Sequence, residues 1–430
     1  MVHHCIVIAD GPDPFVRLCG ISVLERLLRT VQRCGVTSLK VLSDSPELLT
    51  ENLGPPSWAR PDLNIEICNQ SSNPLTAANI SIIWPHGLDN ALVLKGDSVL
   101  DIRLLRLLLA QRQTTALVDS GAPSETAALV HSAPATSLGK FCGAALIQRE
   151  WLASQNGELE AALFNGLNER TVVAVDVAAQ PLYYGDMRRE LRPLWFPAPS
   201  SSNCKLAERI LLDSTQKGAL DLPAWFHAPI EKFLISRICR TRITPNQLTF
   251  FCNVVAWTAT LLFVTGHLIV GIILALIVGV LDGLDGKQAR IKVETTKRGK
   301  LEHWFDGIFE WSWWTALAYY FKTSGLLPGA FLYLFLLVVA EAVDALAKGS
   351  VLFATGKLID ELSPFERFVR LIGGRRNVYI WILVIALLLG VPAKGFVAMV
   401  WLEVGTALVH LPRVAWVFWS RNRKQTARSN

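Results

Sequence analysis

No two of the eight cysteines stand in C-x-x-C spacing, and Cys5, Cys19, Cys34, Cys68, Cys142, Cys204, Cys239 and Cys252 form no paired framework. They read as reduced filler residues rather than as disulfides or zinc ligands. Residues 1–200 also lack any run of 18 apolar residues, so no membrane helix is expected there. The first residues carry neither a basic n-region nor a small-residue cleavage site; no signal peptide is expected, and the front half is expected to stay in the cytosol. What the chain has in quantity is apolar surface. At 51% hydrophobic residues and a mean hydropathy of +0.34 it is too apolar for an ordinary soluble protein, and the excess lies after about residue 247. The net charge of +6 comes from basic residues gathered beside apolar segments, which points to membrane topology and anionic lipid rather than to nucleic acid.

The front of the chain alternates short apolar strands with amphipathic helices. HCIVIAD reads as a buried strand, SVLERLLRTVQRCG as an amphipathic helix ending at glycine, and SLKVLSD as a second strand. NIEICNQ, ALVLKGD, the DIRLLRLLLAQ helix and TTALVDS continue the alternation. This predicts an α/β domain over residues 1–195, built on a parallel sheet with ligands at the carboxyl ends of its strands. Asp97 stands at one such end and is a candidate metal ligand. FPAPSSSN (196–203) opens a linker expected to run to residue 222.

Residues 223–246 mix aromatics, leucines and Arg237, Arg240 and Arg242 as a helix lying on a bilayer would, although an ordinary docking helix fits the same pattern. An all-α membrane domain of six spans is predicted within residues 247–420, at 247–265, 268–290, 301–321, 326–353, 378–391 and 396–418. The joins alternate in character. TGH, KTSGLLPG and VPAKG are nearly uncharged, whereas the 287–300 loop, the ERFVRLIGGRRN loop and the tail at 421–430 are basic. By the positive-inside rule the basic joins and both termini are cytoplasmic.

Residues 268–281 are apolar apart from glycine, yet at about 1.5 Å per residue they rise only ~21 Å, short of a hydrocarbon core of ~30 Å. A spanning helix must therefore continue through Asp282, Asp285 and Arg290, and ionisable groups at that depth mark a functional cavity. Asp282 and Asp285 are three apart and share a helix face, and Gly283 and Gly286 remove side chains beside them. Adjacent carboxylates repel, a divalent cation relieves the repulsion, and hard oxygen ligands favour magnesium, manganese or calcium over zinc. Farther on, Glu302, His303, Asp306 and Glu310 recur at helical spacing as a second acid set to confront the first. Glu341, Asp344 and Lys348 suit an internal ion pair or acceptor recognition, with the ion pair favoured. Trp304, Trp311, Trp313 and Trp314 read as interface anchors.

The pattern D-x-x-D-G-x-x-A-R followed by Gly299 resembles the signature of the CDP-alcohol phosphotransferase family, matching at Asp282, Asp285, Gly286, Ala289, Arg290 and Gly299. The family pattern then has an aspartate four residues after that glycine and another four later, where this chain has His303 and Gly307. Asp306 and Glu310 keep the four-residue interval, displaced by almost one helical turn, and receive the third and fourth roles. The resemblance implies a transferase that moves a phospho-alcohol group from a CDP-alcohol to an acceptor hydroxyl with release of CMP. It implies Mg²⁺ or Mn²⁺ held by Asp282, Asp285 and Asp306, with Glu310 taking the acceptor proton and His303 its rival for that role. Gly286 and Ala289 would give the cytidine room, and Arg290 either binds phosphate or pairs with the acids. Arg367, Arg370, Arg375 and Arg376 are either a topogenic cluster or, by likeness to family members that grip a phosphorylated acceptor, a phosphate site. The implied partners are the bilayer, the CDP-alcohol donor, the alcohol acceptor and a second copy of the chain in a homodimer. ITPNQLT, with Lys217 and Asp221 upstream, is similar to the family's entry segment.

Over roughly residues 3–195 the front domain resembles the sugar-nucleotide and cytidylyl transferases, its first helix lying between Gly20 and Gly35 and LKGDSVLD standing as the metal-binding strand end. By that resemblance Asp97 and Asp186, the latter in YYGDMRRE, supply the metal carboxylates of this domain. The family's first loop is glycine-rich with an arginine and a lysine. Here ADGPDPFVRLCG keeps Gly11 and Arg17, no lysine precedes Lys40, and Pro12 and Pro14 hinder the backbone approach such loops rely on, so nucleotidyl transfer is expected to be lost. The fusion resembles bifunctional enzymes that make CDP-inositol and join it to a second inositol phosphate; a lipid CDP-diacylglycerol donor stands beside that pair. A catalytically inactive membrane scaffold is the competing reading, and the presence together of Asp282, Asp285, Gly286 and Arg290 argues against it.

Overall fold

The computed structural model describes residues 4–53, 63–69, 75–84, 87–218, 221–294 and 299–429, with the backbone alone over 299–306 and from 420 onward. The chain forms two compact units. One comprises Met1–Gln216, Ile238–Arg242 and Ala289–Thr295, the other Lys217–Arg237, Ile243–Gln288 and Thr296–Asn430.

In the first unit, strands β1 (His4–Ile8), β2 (Ser38–Ser43), β3 (Asn64–Asn69), β4 (Asn90–Lys95), β5 (Thr115–Asp119), β6 (Gly139–Gln148) and β7 (Val173–Asp176) form a sheet in the order β7-β5-β6-β4-β1-β2-β3. Strand β1 pairs in parallel with β2 and β4, as the strand–helix alternation predicts. Strand β6 departs from the prediction by running antiparallel to both β4 and β5, so the sheet is mixed. Phe141 to Ile147 of β6 are all buried, and a run buried on both faces carries no period from which direction can be read. Antiparallel neighbours need only a short connection, and the two residues Ala135–Thr136 fold back onto β6. After β4, the Gly96 N–H donates to the Ile8 carbonyl at 2.6 Å, where an added Cβ would lie 2.9 Å from the same oxygen. That approach sets Asp10 and Asp97 at neighbouring strand ends.

Helix α1 (Val23–Arg33) starts at Ser22, whose hydroxyl accepts the Glu25 N–H at 3.1 Å. It is buried nearly all round, Arg26 and Arg29 included. Arg26 Nη1 donates to the Ile291 carbonyl and Arg29 Nη1 to the Lys292 carbonyl, each at 2.7 Å, while Arg29 also pairs with Glu25 and reaches Glu294 at 3.3 Å. Ile291 ends a long helix, so the two guanidiniums satisfy carbonyls that a helix C-terminus leaves open and oppose its negative end. Removing charge-assisted bonds of this kind costs about 1.5–3 kcal/mol each. Arg26→Ala should accordingly lower the thermal unfolding midpoint of the full-length protein by several degrees, measurable by a thermal-shift assay.

The second unit is helical: α2 (Ala224–Ile238), α3 (Pro245–Val264), α4 (Leu268–Ile291), α5 (Gly299–Thr323), α6 (Ala330–Thr355), α7 (Pro364–Ile372), α8 (Arg376–Leu388) and α9 (Pro392–Ser429). Thr244 and Gln247 close a capping box around Pro245 and fix where α3 begins. Helix α3 packs on α5, α5 on α6, and α6 and α8 on α9. The core between them holds Phe263, Phe309, Trp313, Trp314, Tyr379 and Phe396. Trp313 and Trp314 are therefore core residues rather than interface anchors. Trp313 donates its indole N–H to the Ala256 carbonyl at 2.8 Å and meets the Phe263 ring edge-on, while Trp311 alone of the described tryptophans in that set stays exposed. The Trp304 side chain lies outside the described residues.

Among the described residues four helices are long and apolar enough to cross a membrane, namely α3, α4, α6 and the Pro392–Trp419 part of α9. A fifth arises if α7 and α8, bent by 46°, count as one span. Of the six predicted spans, 247–265, 268–290, 326–353 and 396–418 correspond to these four helices. The predicted span at 378–391 lies on α8, which is only 13 residues long and counts only together with α7; the ERFVRLIGGRRN segment is largely that helix α7, started by Pro364 at its first position, rather than a loop. The predicted span at 301–321 is the continuous helix α5, which carries Glu302, His303, Asp306 and Glu310 in its first turns. Helix α2 exposes Trp225, Phe226, Ile230 and Phe233 and buries His227 and Glu231. Its apolar side faces outward and its polar side inward.

Candidate active site

Helix α4 changes character at its carboxyl-terminal third, where Asp282, Asp285, Lys287, Gln288 and Arg290 follow fourteen residues without charge. Every one of these side chains has a defined partner. Arg376, the first residue of α8, donates Nη2 to Asp282 Oδ2 at 2.5 Å and lays its guanidinium 5.1 Å from the Phe309 ring centre. Thr249 of α3 donates its hydroxyl to Asp285 Oδ2 at 2.7 Å, and Asp285 also accepts the Gly286 N–H. Lys287 pairs with Glu231 of α2 at 2.7 Å, and Gln288 donates to the Ile243 carbonyl at 2.7 Å. Glu310 of α5 lies within electrostatic reach of Arg376, Arg375 and Asp282. Asp282 of α4 and Glu310 of α5 thus both face arginines from the start of α8, although α8 is distant in sequence from both.

The room beside the α4 acids is used differently from the expectation. An added Cβ at Gly283 would fall 2.5 Å from the Glu231 carboxylate carbon, and one at Gly279 would fall 2.9 Å from His227 Cε1. Gly279 and Gly283 are one turn apart, as are His227 and Glu231, so two glycines on α4 receive two polar side chains of α2. Gly283 makes room for Glu231, not for a ligand. Gly283→Ala should push Glu231 away from Lys287 and cost about 1–3 kcal/mol by overpacking, read as a lowered unfolding midpoint that Glu231→Ala partly restores. Glu231 and Lys287 were not singled out from the sequence; the matched four-residue spacings on the two segments were the signal.

The other predicted residues fall as follows. Arg290 donates Nε to the Thr215 carbonyl at 2.8 Å, a partner that neither reading of it named. Ala289 is half-buried near the end of α4, and Gly299 opens α5. The side chains of His303 and Asp306 lie outside the described residues. Arg367 donates to the Asp360 carbonyl at 3.3 Å and Arg370 to the Asp360 carboxylate at 3.2 Å, so the arginine cluster divides, with Arg375 and Arg376 at the acids and the other two on Asp360. Asp344 pairs with both Lys348 and His410, which favours the internal ion pair for that set. Asp221 accepts the Ala224 N–H at 3.0 Å at the start of α2 and the Asn377 amide at 3.4 Å. Among the described residues no three His, Cys, Asp or Glu side chains are grouped to hold a metal ion. Asp282 and Asp285 supply hard oxygen donors of the right chemistry for such an ion.

In the front domain, a cavity of about 280 Å³ at the strand ends is lined by Asp10, Lys95, Asp97, Glu158 and Glu160 together with Pro14. Burial pushes the Asp97 carboxyl above its ordinary value. Lys95 is held above its own against the opposing effect of burial, because Glu160 pairs with it at 2.8 Å. Asp186 sits exposed in a short 3-10 turn (Gly185–Met187) and does not line this cavity. Four acids thus line it beside one lysine, and that lysine is paired. Gly11 adopts φ 67° and leads at once into Pro12 and a 3-10 turn at Asp13–Phe15.

Residues 242–409 match the profile of a family described as CDP-alcohol phosphatidyltransferase. A curated relative, the "Bifunctional IPC transferase and DIPP synthase" of Aquifex aeolicus, is 27% identical over 201 residues, 46% of this chain and 45% of the relative. The chain thus matches less than half the length of that relative. Among solved structures, the inositol-1-phosphate CTP transferase from T. maritima is 13% identical, with a TM-score of 0.33, covering 49% of this chain and 96% of that one. HddC from Yersinia pseudotuberculosis is 10% identical, with a TM-score of 0.36, covering 48% of this chain and 99% of that one.

Proposed function

Taking residues 242–409 as a CDP-alcohol phosphatidyltransferase domain, we propose that this protein is a membrane transferase that moves a phospho-alcohol group from a CDP-alcohol to an acceptor hydroxyl. The acceptor oxygen attacks the β-phosphorus, the bond from that phosphorus to the bridging oxygen breaks, and CMP leaves with the electron pair. The proton of the acceptor hydroxyl passes to Glu310. The observation that carries this reading is the pairing of Arg376 with Asp282, with Glu310 in the field of both and of Arg375. Asp282, Asp285 and Asp306 would hold Mg²⁺ or Mn²⁺, which supplies charge neutralisation for the pyrophosphate when bound. Gly286 and Ala289 leave the α4 surface low where the cytidine would lie. Arg375 and Arg376 grip the phosphate of a phosphorylated acceptor, Arg376 exchanging its bond to Asp282 for that anion. The basic joins support a reading in which this end of the helices, and both termini, face the cytoplasm. Purified full-length protein supplied with radiolabelled CDP-alcohols and candidate acceptors should release CMP only when donor and acceptor are both present. Failure with both CDP-inositol and CDP-diacylglycerol would sink the reading.

The front domain, on this proposal, no longer transfers nucleotides. Its acid-lined cavity and proline-interrupted loop support that view. The full-length Asp285→Asn protein, incubated with CTP and inositol 1-phosphate, should release no pyrophosphate above background, and release at an enzymatic rate would reverse the assignment.

A further inference from the structure

Between α7 and α8 the chain turns through Gly373 and Gly374, and the helices bend there by 46°. A Cβ on Gly374 would fall 1.6 Å from Glu403 Oε2 and 2.5 Å from the Tyr379 hydroxyl, so that position has no space for a side chain. The Gly374 N–H donates to Thr406 Oγ1 at 2.8 Å, and a Cβ on Gly373 would come within 3.2 Å of the same oxygen. Tyr379 in turn donates its hydroxyl to Glu403 Oε2 at 2.5 Å. Glu403 and Thr406 are neighbouring turns of α9, and all three side chains are buried. An acid buried in a membrane helix is costly and calls for a reason beyond packing. The residues that follow the bend are Arg375 and Arg376, the second of which reaches Asp282.

We propose that Glu403, Thr406 and Tyr379 are positioning residues: they clamp the Gly373–Gly374 bend to α9 and thereby aim Arg375 and Arg376 at the acids of α4 and α5. The proposal rests on the phosphotransferase reading for its consequence in catalysis, and on the bend itself for its structural part. Without the clamp the start of α8 can shift, and a displacement of about 1 Å at a positioning group costs up to ~100-fold. Because the arginines face the acceptor phosphate, the loss should appear in acceptor binding.

The test uses full-length protein in detergent micelles with Glu403→Ala, Thr406→Val and Thr406→Ser. With CDP-alcohol and a phosphorylated acceptor, Glu403→Ala and Thr406→Val should raise the acceptor KM by about 10- to 100-fold and leave the donor KM within about twofold, while Thr406→Ser, which keeps the hydroxyl, restores the wild-type acceptor KM. Independently of activity, a double-mutant cycle on the unfolding midpoint should find Thr406→Val and Arg376→Ala non-additive, because each removes what the other holds. Additive midpoints, or donor and acceptor KM values that rise together, overturn the proposal. If the wild-type protein transfers nothing, the phosphotransferase reading fails and the cycle alone decides the clamp. If Thr406→Val does not fold, the cycle is run with Glu403→Ala, under the same criterion.

Discussion

Asp285→Asn is expected to abolish CMP release while leaving the protein folded. The carboxylate accepts the Thr249 hydroxyl at 2.7 Å, and an asparagine amide oxygen in the same place can still accept it, so the link between α3 and α4 survives the substitution. What disappears is one negative charge from a pair three residues apart on α4. Two carboxylates on one face are the arrangement a divalent cation relieves, and losing one ligand of such a site removes the electrostatic stabilisation on which phosphoryl chemistry depends, by about 1,000-fold or more. The unfolding midpoint should stay within a few degrees of wild type. Asp282→Asn should also inactivate, with a small added loss of stability from its partly exposed pair with Arg376, worth about 0–1 kcal/mol. Turnover that persists undiminished in excess EDTA would defeat the metal assignment, whatever the mutants show.

The parts of this molecule legible in its sequence are those governed by local period. Strand β1, helix α1 and strand β2 follow from alternation and a glycine stop, and α4 follows from fourteen uncharged residues running into Asp282 and Asp285. Of the acids that stand out in α4 and α5, Asp282 pairs with Arg376 and Glu310 stands in the field of Arg375 and Arg376. What escaped was set by partners far along the chain. Arg376 meets Asp282 across 94 residues, a pairing no periodicity encodes. Gly283 seemed to leave space for a ligand because a single sequence does not show that Glu231 fills it. Strand β6 is apolar on both faces, so its direction had to come from the connection rather than the pattern. Trp313 and Trp314 look like anchors at a water interface and are core, because a bundle of crossing helices has an interior wide enough to bury an indole and to offer its N–H the Ala256 carbonyl.

On the proposed function, the register of the α5 acids decides which residue takes the proton. His303, Asp306 and Glu310 lie on one unbroken helix at intervals of three and four residues, a spacing that keeps them near one face. Glu310 stands in the field of Arg375, Arg376 and Asp282, where the acceptor oxygen and its phosphate would converge. If Asp306 supplies the third metal ligand and Glu310 the base, Asp306→Ala abolishes transfer. Glu310→Gln then loses roughly 100- to 10,000-fold, the range for a removed general base, with metal affinity little changed. His303→Ala costs much less, since the imidazole then stands a turn away from the reacting atoms. The unshifted register reverses this order, because it makes His303 the third ligand and leaves Asp306 beside the site. Turnover of the three variants at saturating Mg²⁺ separates the two: a His303→Ala protein as inactive as Asp306→Ala, or a Glu310→Gln protein close to wild type, would take the role of base away from Glu310.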